Sequence, residues 1–171
     1  MSTPASRNQI PDESILDING KQAYLGNAYK APTGLVNGNT MTETPLILIQ
    51  NGTANALPTA IAAFIQSIKL GCDTSTALAT FKFYTASASI SSGSAITPVN
   101  ARPANANTSA MTVTKAPTVG TKGTLIDEIW TNGTVVLDSE LLVLDSGQSL
   151  LITQQVSASA DVQATLGWYE R

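Results

Sequence analysis

The chain of 171 residues has no histidine, a single cysteine, and charge on only 12% of its residues. Histidine is the side chain whose ordinary pKa lies nearest neutrality, so its absence removes the most usual general acid/base and the commonest metal ligand. The many serines therefore cannot enter an ordinary Ser-His-Asp triad, and no Ser-Lys substitute has a recognisable spacing. Cys72 stands alone, which excludes an internal disulfide framework. Its neighbours Gly71 and Asp73 bring no positive charge to activate a thiol, so it reads as a small buried or strand-end residue.

Long apolar runs are missing as well. The longest, such as residues 45–49, are far too short to cross a bilayer, and the opening Met-Ser-Thr-Pro-Ala-Ser-Arg lacks the apolar stretch of a signal peptide. The expectation is a soluble protein made in a cytoplasm, with no membrane partner. Its 9 basic residues are spread singly from Arg7 to Arg171 at a net charge of −3, so no footprint for a phosphate backbone appears and no nucleic acid is expected. Asn51, Asn107 and Asn132 each begin an Asn-x-Ser/Thr triplet, but without a signal peptide they read as turn chemistry.

What is present is Ser, Thr, Ala and Asn between short apolar segments, a composition suited to surfaces and assemblies. Residues 1–44 hold several turn signals and only isolated apolar side chains. Such a segment has too little contiguous apolar surface to offset its ordering entropy of about 1–2 kcal/mol per residue, so it reads as an extended arm that needs a partner surface. Ile10, Ile15, Leu16, Tyr24 and Tyr29 are the expected anchors of that arm, because apolar residues spaced through a polar extended segment commonly bury in a partner.

From residue 45 to 171 the pattern becomes short strands separated by turns, as in an all-β antiparallel sandwich. Residues 78–84 alternate cleanly, with Ala79, Phe81 and Phe83 on one face. Residues 61–70 fit either helix or strand spacing, and their β-branched content favours a strand. Residues 124–131 lead through Asn132-Gly133 into residues 134–137, the best hairpin candidate because Asn-Gly takes up a type I′ turn easily. A second candidate hairpin turns at Asp145-Ser146-Gly147. The last strand, 161–170, puts Val162, Ala164, Leu166 and Trp168 on one face. With short strands placed near 95–99 and 110–115, the count is about eight, which suits a jelly roll.

The candidates for chemistry are weak. Asp127 and Glu128 are adjacent and so point to opposite faces of a strand, whereas a glycosidase pair must converge on one bond. Asp138, Glu140 and Asp145 flank a leucine-rich strand without the dense spacing of a calcium loop, and residues 34–38 have no phosphate-cradling pattern. The aromatics Phe81, Phe83, Tyr84, Trp130, Trp168 and Tyr169 lie within strands, where core or subunit-interface packing is the default. No enzyme activity, cofactor or metal is expected.

The runs IKLGCDTSTALATFKFY, TPVNARPANANTSA, GTLIDEIW and ELLVLDSGQSLLITQQVSASADVQATLGWYE resemble the jelly-roll domain of structural proteins of tailed bacteriophages. The resemblance covers the C-terminal three quarters of the chain and rests on strand and turn patterns. It implies a homotrimeric β-sandwich used in capsid decoration proteins, head fibres and tail components. The corresponding expectation is a cement protein on the capsid surface of a virion, made in the host cytoplasm, whose partner is the major capsid protein. A tail or baseplate module binding host-surface saccharide is the alternative.

Overall fold

A computed structural model of the chain describes residue 23 and residues 25–52, 61–85 and 90–171. Within these, twelve strands follow one another: β1 (Ala28–Pro32), β2 (Val36–Asn37), β3 (Thr44–Asn51), β4 (Ala63–Cys72), β5 (Ala79–Thr85), β6 (Ile90–Ile96), β7 (Val99–Asn100), β8 (Met111–Val119), β9 (Thr124–Thr131), β10 (Thr134–Leu144), β11 (Ser149–Val156) and β12 (Asp161–Glu170). They form two antiparallel six-stranded sheets. Sheet A runs β10-β4-β12-β1-β7, with β2 also paired to β12, and sheet B runs β6-β8-β3-β11-β5-β9. The protein is an all-β sandwich. It has more strands than the eight expected, and two of the extra ones, β2 and β7, are only 2 residues long.

The core lies between the sheets and is built by period-two alternation. Ala79, Phe81 and Phe83 of β5 point inward, as do Val162, Ala164, Leu166 and Trp168 of β12. Sheet A adds Ile65, Ile68 and Leu70, and sheet B adds Leu46, Ile49, Leu150 and Ile152. The central strands β3 and β11 are apolar on both faces. Their outward Leu48 and Leu151 pack with Tyr84 in a second, smaller cluster.

No strand pairs with the one before or after it among the described residues. Instead, most successive strands lie in different sheets, the chain crossing between β2 and β3, β3 and β4, β4 and β5, β6 and β7, β7 and β8, β9 and β10, β10 and β11, and β11 and β12. This corrects both expected hairpins. β9 pairs with β5 and β10 with β4, so residues 132–133 carry the chain across the sandwich edge. Gly133 is not among the glycines with positive φ, and Asn132 is not among the non-glycine residues with it, so the type I′ geometry is not adopted.

The second turn does form, as the Gln148 amide donates to the Asp145 carbonyl at 2.9 Å. Gly147 there has φ 82°, a conformation that favours glycine. However, it links β10 of sheet A to β11 of sheet B. Asn51, at the end of β3, is buried beside this arch, and its side-chain amide donates to the carbonyls of Ile61 (2.5 Å) and Leu144 (2.9 Å).

The expected boundary at residue 44 also shifts. β1 and β2 precede it yet belong to sheet A, with Tyr29 opposite Trp168 and Lys30 opposite Gly167. β1 is a short alternating strand whose Tyr29 and Ala31 enter the core, and sheet A gains its β12–β1–β7 half only through it.

Candidate functional site

Of the five expected arm anchors, Ile10, Ile15, Leu16 and Tyr24 lie outside the described residues. Tyr29 is described and is 4% exposed, its ring centroid 6.0 Å from that of Trp168. Burial, and then the negative charge of Glu170, raise its phenol pKa above the ordinary value. Tyr29 is therefore an inward anchor of the chain's own sandwich, because β1 is a sheet strand whose alternation turns this ring to the core.

The carboxylates separate into distinct settings. Asp127 and Glu128 lie on β9, where an Asp127 carboxylate oxygen accepts from the Glu128 amide at 2.8 Å and Glu128 stands opposite Lys82. Glu170 is 8% exposed. It accepts from the Trp168 indole N–H (3.0 Å), the Ala110 amide (2.9 Å) and the Ser109 hydroxyl, tying the end of β12 to the start of β8 in the other sheet.

Glu43 is the hub of the outer face of sheet B. Its Oε1 accepts from Thr153 (2.7 Å) and Tyr84 (3.0 Å) and lies 2.9 Å from Lys122 Nζ, while Oε2 is 3.6 Å from Lys82. Burial pushes this carboxyl up, but the hydrogen bonds of Thr153, Lys122 and Tyr84 and the charge of Lys122 outweigh it and hold the pKa at about 2. Tyr84 moves the other way, to about 12, through burial, its bond to Glu43 and the charges of Glu43 and Glu128. Two lysines, a tyrosine and a threonine satisfy one carboxylate, an arrangement that pins residue 43 to β5 and β11.

The surface suited to a partner is the sandwich edge formed by β9 and β10. β9 ends sheet B and β10 ends sheet A on the same side of the molecule. Trp130 is 63% exposed there, Val136 50%, Ile126 49%, Leu125 47% and Val143 41%. Between the two strands a cleft of about 380 Å³ reaches the core side chains Ile68, Phe83 and Leu150, walled by Ile126, Leu137 and Leu142. Leu125 and Trp130 face outward on sheet B and Val136 and Val143 outward on sheet A, so exposed apolar side chains flank the cleft from both sheets, and the two edge strands carry unpaired backbone groups.

Sequence reasoning placed β9 and missed this edge. The available signal was apolar residues on both faces, Leu125 and Ile129 on one and Ile126 and Trp130 on the other, where a strand with a single core face needs only one such set. Among the aromatics, Phe81, Phe83 and Trp168 are buried, whereas Trp130 stands outside.

The fold and this edge define a β-sandwich with exposed apolar side chains along one edge. Comparison with protein-family models, curated proteins and solved structures gives no match to the chain.

Proposed function

We propose that the protein is a structural subunit of a virion, of the capsid decoration or cement type, that trimerises and clamps neighbouring major capsid subunits. The observation that carries this reading is the open β9–β10 edge, two edge strands with exposed apolar side chains flanking a cleft into the core. A second copy fits it by charge as well as by polarity. This edge carries Asp127 and Glu128, while Arg102 follows β7, the strand that ends sheet A on the opposite side. Head-to-tail contact between unlike edges generates a closed ring when the rotation is right, and three copies are the expected closure.

Trimerisation gives the mechanism. Three linked copies raise the effective concentration of each N-terminal segment at its groove on the lattice, so modest single contacts sum to durable attachment. Ile10, Ile15, Leu16 and Tyr24 remain the proposed contacts of that segment, whereas Tyr29 serves the core. The resemblance to jelly-roll proteins of tailed bacteriophages supports the choice of a capsid as the lattice.

The test is cosedimentation of the full chain with capsids assembled without accessory proteins, beside a variant lacking residues 1–22, which leaves β1 intact. Saturable binding lost on truncation supports the reading. Binding retained by the truncated form refutes the clamp, and absence of binding by both refutes the capsid partner. Light scattering should give a mass near three times 17.8 kDa. A Trp130→Lys/Val136→Lys double variant should run as a folded monomer.

A further inference from the structure

The outer face of sheet A contains a second cleft, of about 540 Å³, on the opposite side of β4 from the core. Strand pairing sets its floor. Asp138 of β10, Ser67 of β4, Gly167 of β12 and Lys30 of β1 stand opposite one another in sequence, forming one row across four strands. All four line the cleft. The neighbours of β4 lose register at the same level. β12 pairs Gly167 with Ser67 but Trp168 with Ile65, and β10 pairs Asp138 with Ser67 but Leu142 with Ile65. Gln66 is thus the extra residue of a bulge against β12, whereas against β10 the extra residues are β10's own 139–141, and bulges characteristically re-aim a side chain beside a site.

Three features make the hollow a built one. Gly167 keeps the floor low, because a Cβ there would come within 2.5 Å of Ser67 Oγ. Tyr169, stacked on Phe64 at 4.7 Å between centroids, closes one end with an apolar wall. Gln66 lines the hollow, and its side-chain nitrogen is buried without a hydrogen-bond partner. A half-turn about the terminal torsion of Gln66, which has broad and shallow preferences, exchanges that nitrogen with the amide oxygen and offers it to an acceptor in the cleft.

The geometry points to a neutral saccharide of one or two rings as the ligand of this cleft. Asp138 accepts from hydroxyls, Lys30 and Gln66 donate to them, and Ser67 does both, while the low floor at Gly167 leaves room for a ring whose C–H face lies over it and Tyr169 bounds one end. Opposite charges at the two ends disfavour phosphates and polyanions. Asp138 and Lys30 are three strand spacings apart, about 14 Å between backbones, so the two ends of a single amino acid cannot reach both. The inference is independent of the capsid reading, since sheet A offers this face whether or not the subunit is bound to a lattice.

The experiment is amide-resolved NMR titration of the full chain with free glucose, galactose, rhamnose, N-acetylglucosamine, maltose and lactose, and with triglycine as the competing chemistry. Saturable shifts around Ser67 and Gly167 with at least one sugar, in the millimolar range, are expected. Asp138→Ala alters an exposed side chain and should leave the fold intact while weakening binding by at least about tenfold. Gly167→Val should abolish binding by filling the floor, with its fold checked by the same spectra. Silence with every sugar, a response to triglycine alone, or sugar shifts unchanged in Asp138→Ala would each overturn the inference.

Discussion

Replacing Glu43 by glutamine isolates the strongest electrostatic feature of the sandwich. The carboxylate holds Thr153, Tyr84 and Lys122 within 3.0 Å, and its pKa falls from 4.5 to about 2. At about 1.4 kcal/mol per tenfold change, that difference sets a ceiling of about 3.4 kcal/mol on the stability tied to ionisation. The Glu43 side chain is 16% exposed and that of Lys122 39%, so solvent screening reduces the expected effect to about 2 kcal/mol. Because the folded-state pKa is depressed, this contribution is fully present above pH 4.5 and is lost as the pH falls towards about 2. Urea unfolding should therefore find Glu43→Gln about 2 kcal/mol less stable at neutral pH, with a melting temperature lower by about 4–8 °C for a chain of this size. The gap to the wild type should close progressively below pH 4.5. A variant as stable as the wild type at neutral pH, or a gap of constant size down to about 2, would refute the reasoning.

Three further outcomes follow from the geometry. Gly133→Ala should leave stability within about 0.5 kcal/mol because φ there is not positive, whereas Gly147→Ala, at φ 82°, should cost about 1–2 kcal/mol; thermal unfolding of the pair separates an arch from a type I′ hairpin. A spectrophotometric titration of the 4 tyrosines should show one phenol ionising at about 12, and Tyr84→Phe should remove that step. Since this phenol pKa is raised, the linked stability is complete below pH 10 and declines as the pH climbs towards 12. Deleting residues 1–22 should preserve cooperative unfolding, while deleting residues 1–37 should abolish it by removing β1 and β2, an outcome read by near-ultraviolet circular dichroism of Trp168 and its neighbours.

Strand identity was legible wherever alternation was uninterrupted. Residues 78–84 and 161–170 carry one apolar face each and correspond to β5 and β12, and the run 61–70 overlaps β4. Partners were not legible, because a turn sequence specifies a reversal and says nothing about which strand lies alongside. Asn132-Gly133 and Asp145-Ser146-Gly147 both reverse the chain, yet each does so between sheets. β1 escaped notice for a different reason. AYKAP is short, ends in proline and sits among turn residues, and its strand character comes from inserting between β12 and β7. The row from Asp138 to Lys30 joins residues more than a hundred positions apart, so only register between non-successive strands brings it together.

That winding also ties stability to assembly. Among the described residues every ladder joins strands that are not neighbours in sequence, and β1, the first of them, is completed by β12, the last. Closing such pairings costs loop entropy before any contact compensates, which places the chain among slow-folding topologies. The layer made of β9 and β10 has neighbours on one side only, β5 and β4, and on its other side the cleft opens towards Phe83, Ile68 and Leu150. A second copy seated on that edge would cover these core side chains and add its binding free energy to the folded state alone. Under the proposed trimer, then, the layer held least well by its own chain is the one held by the assembly, and resistance to unfolding rises with subunit concentration.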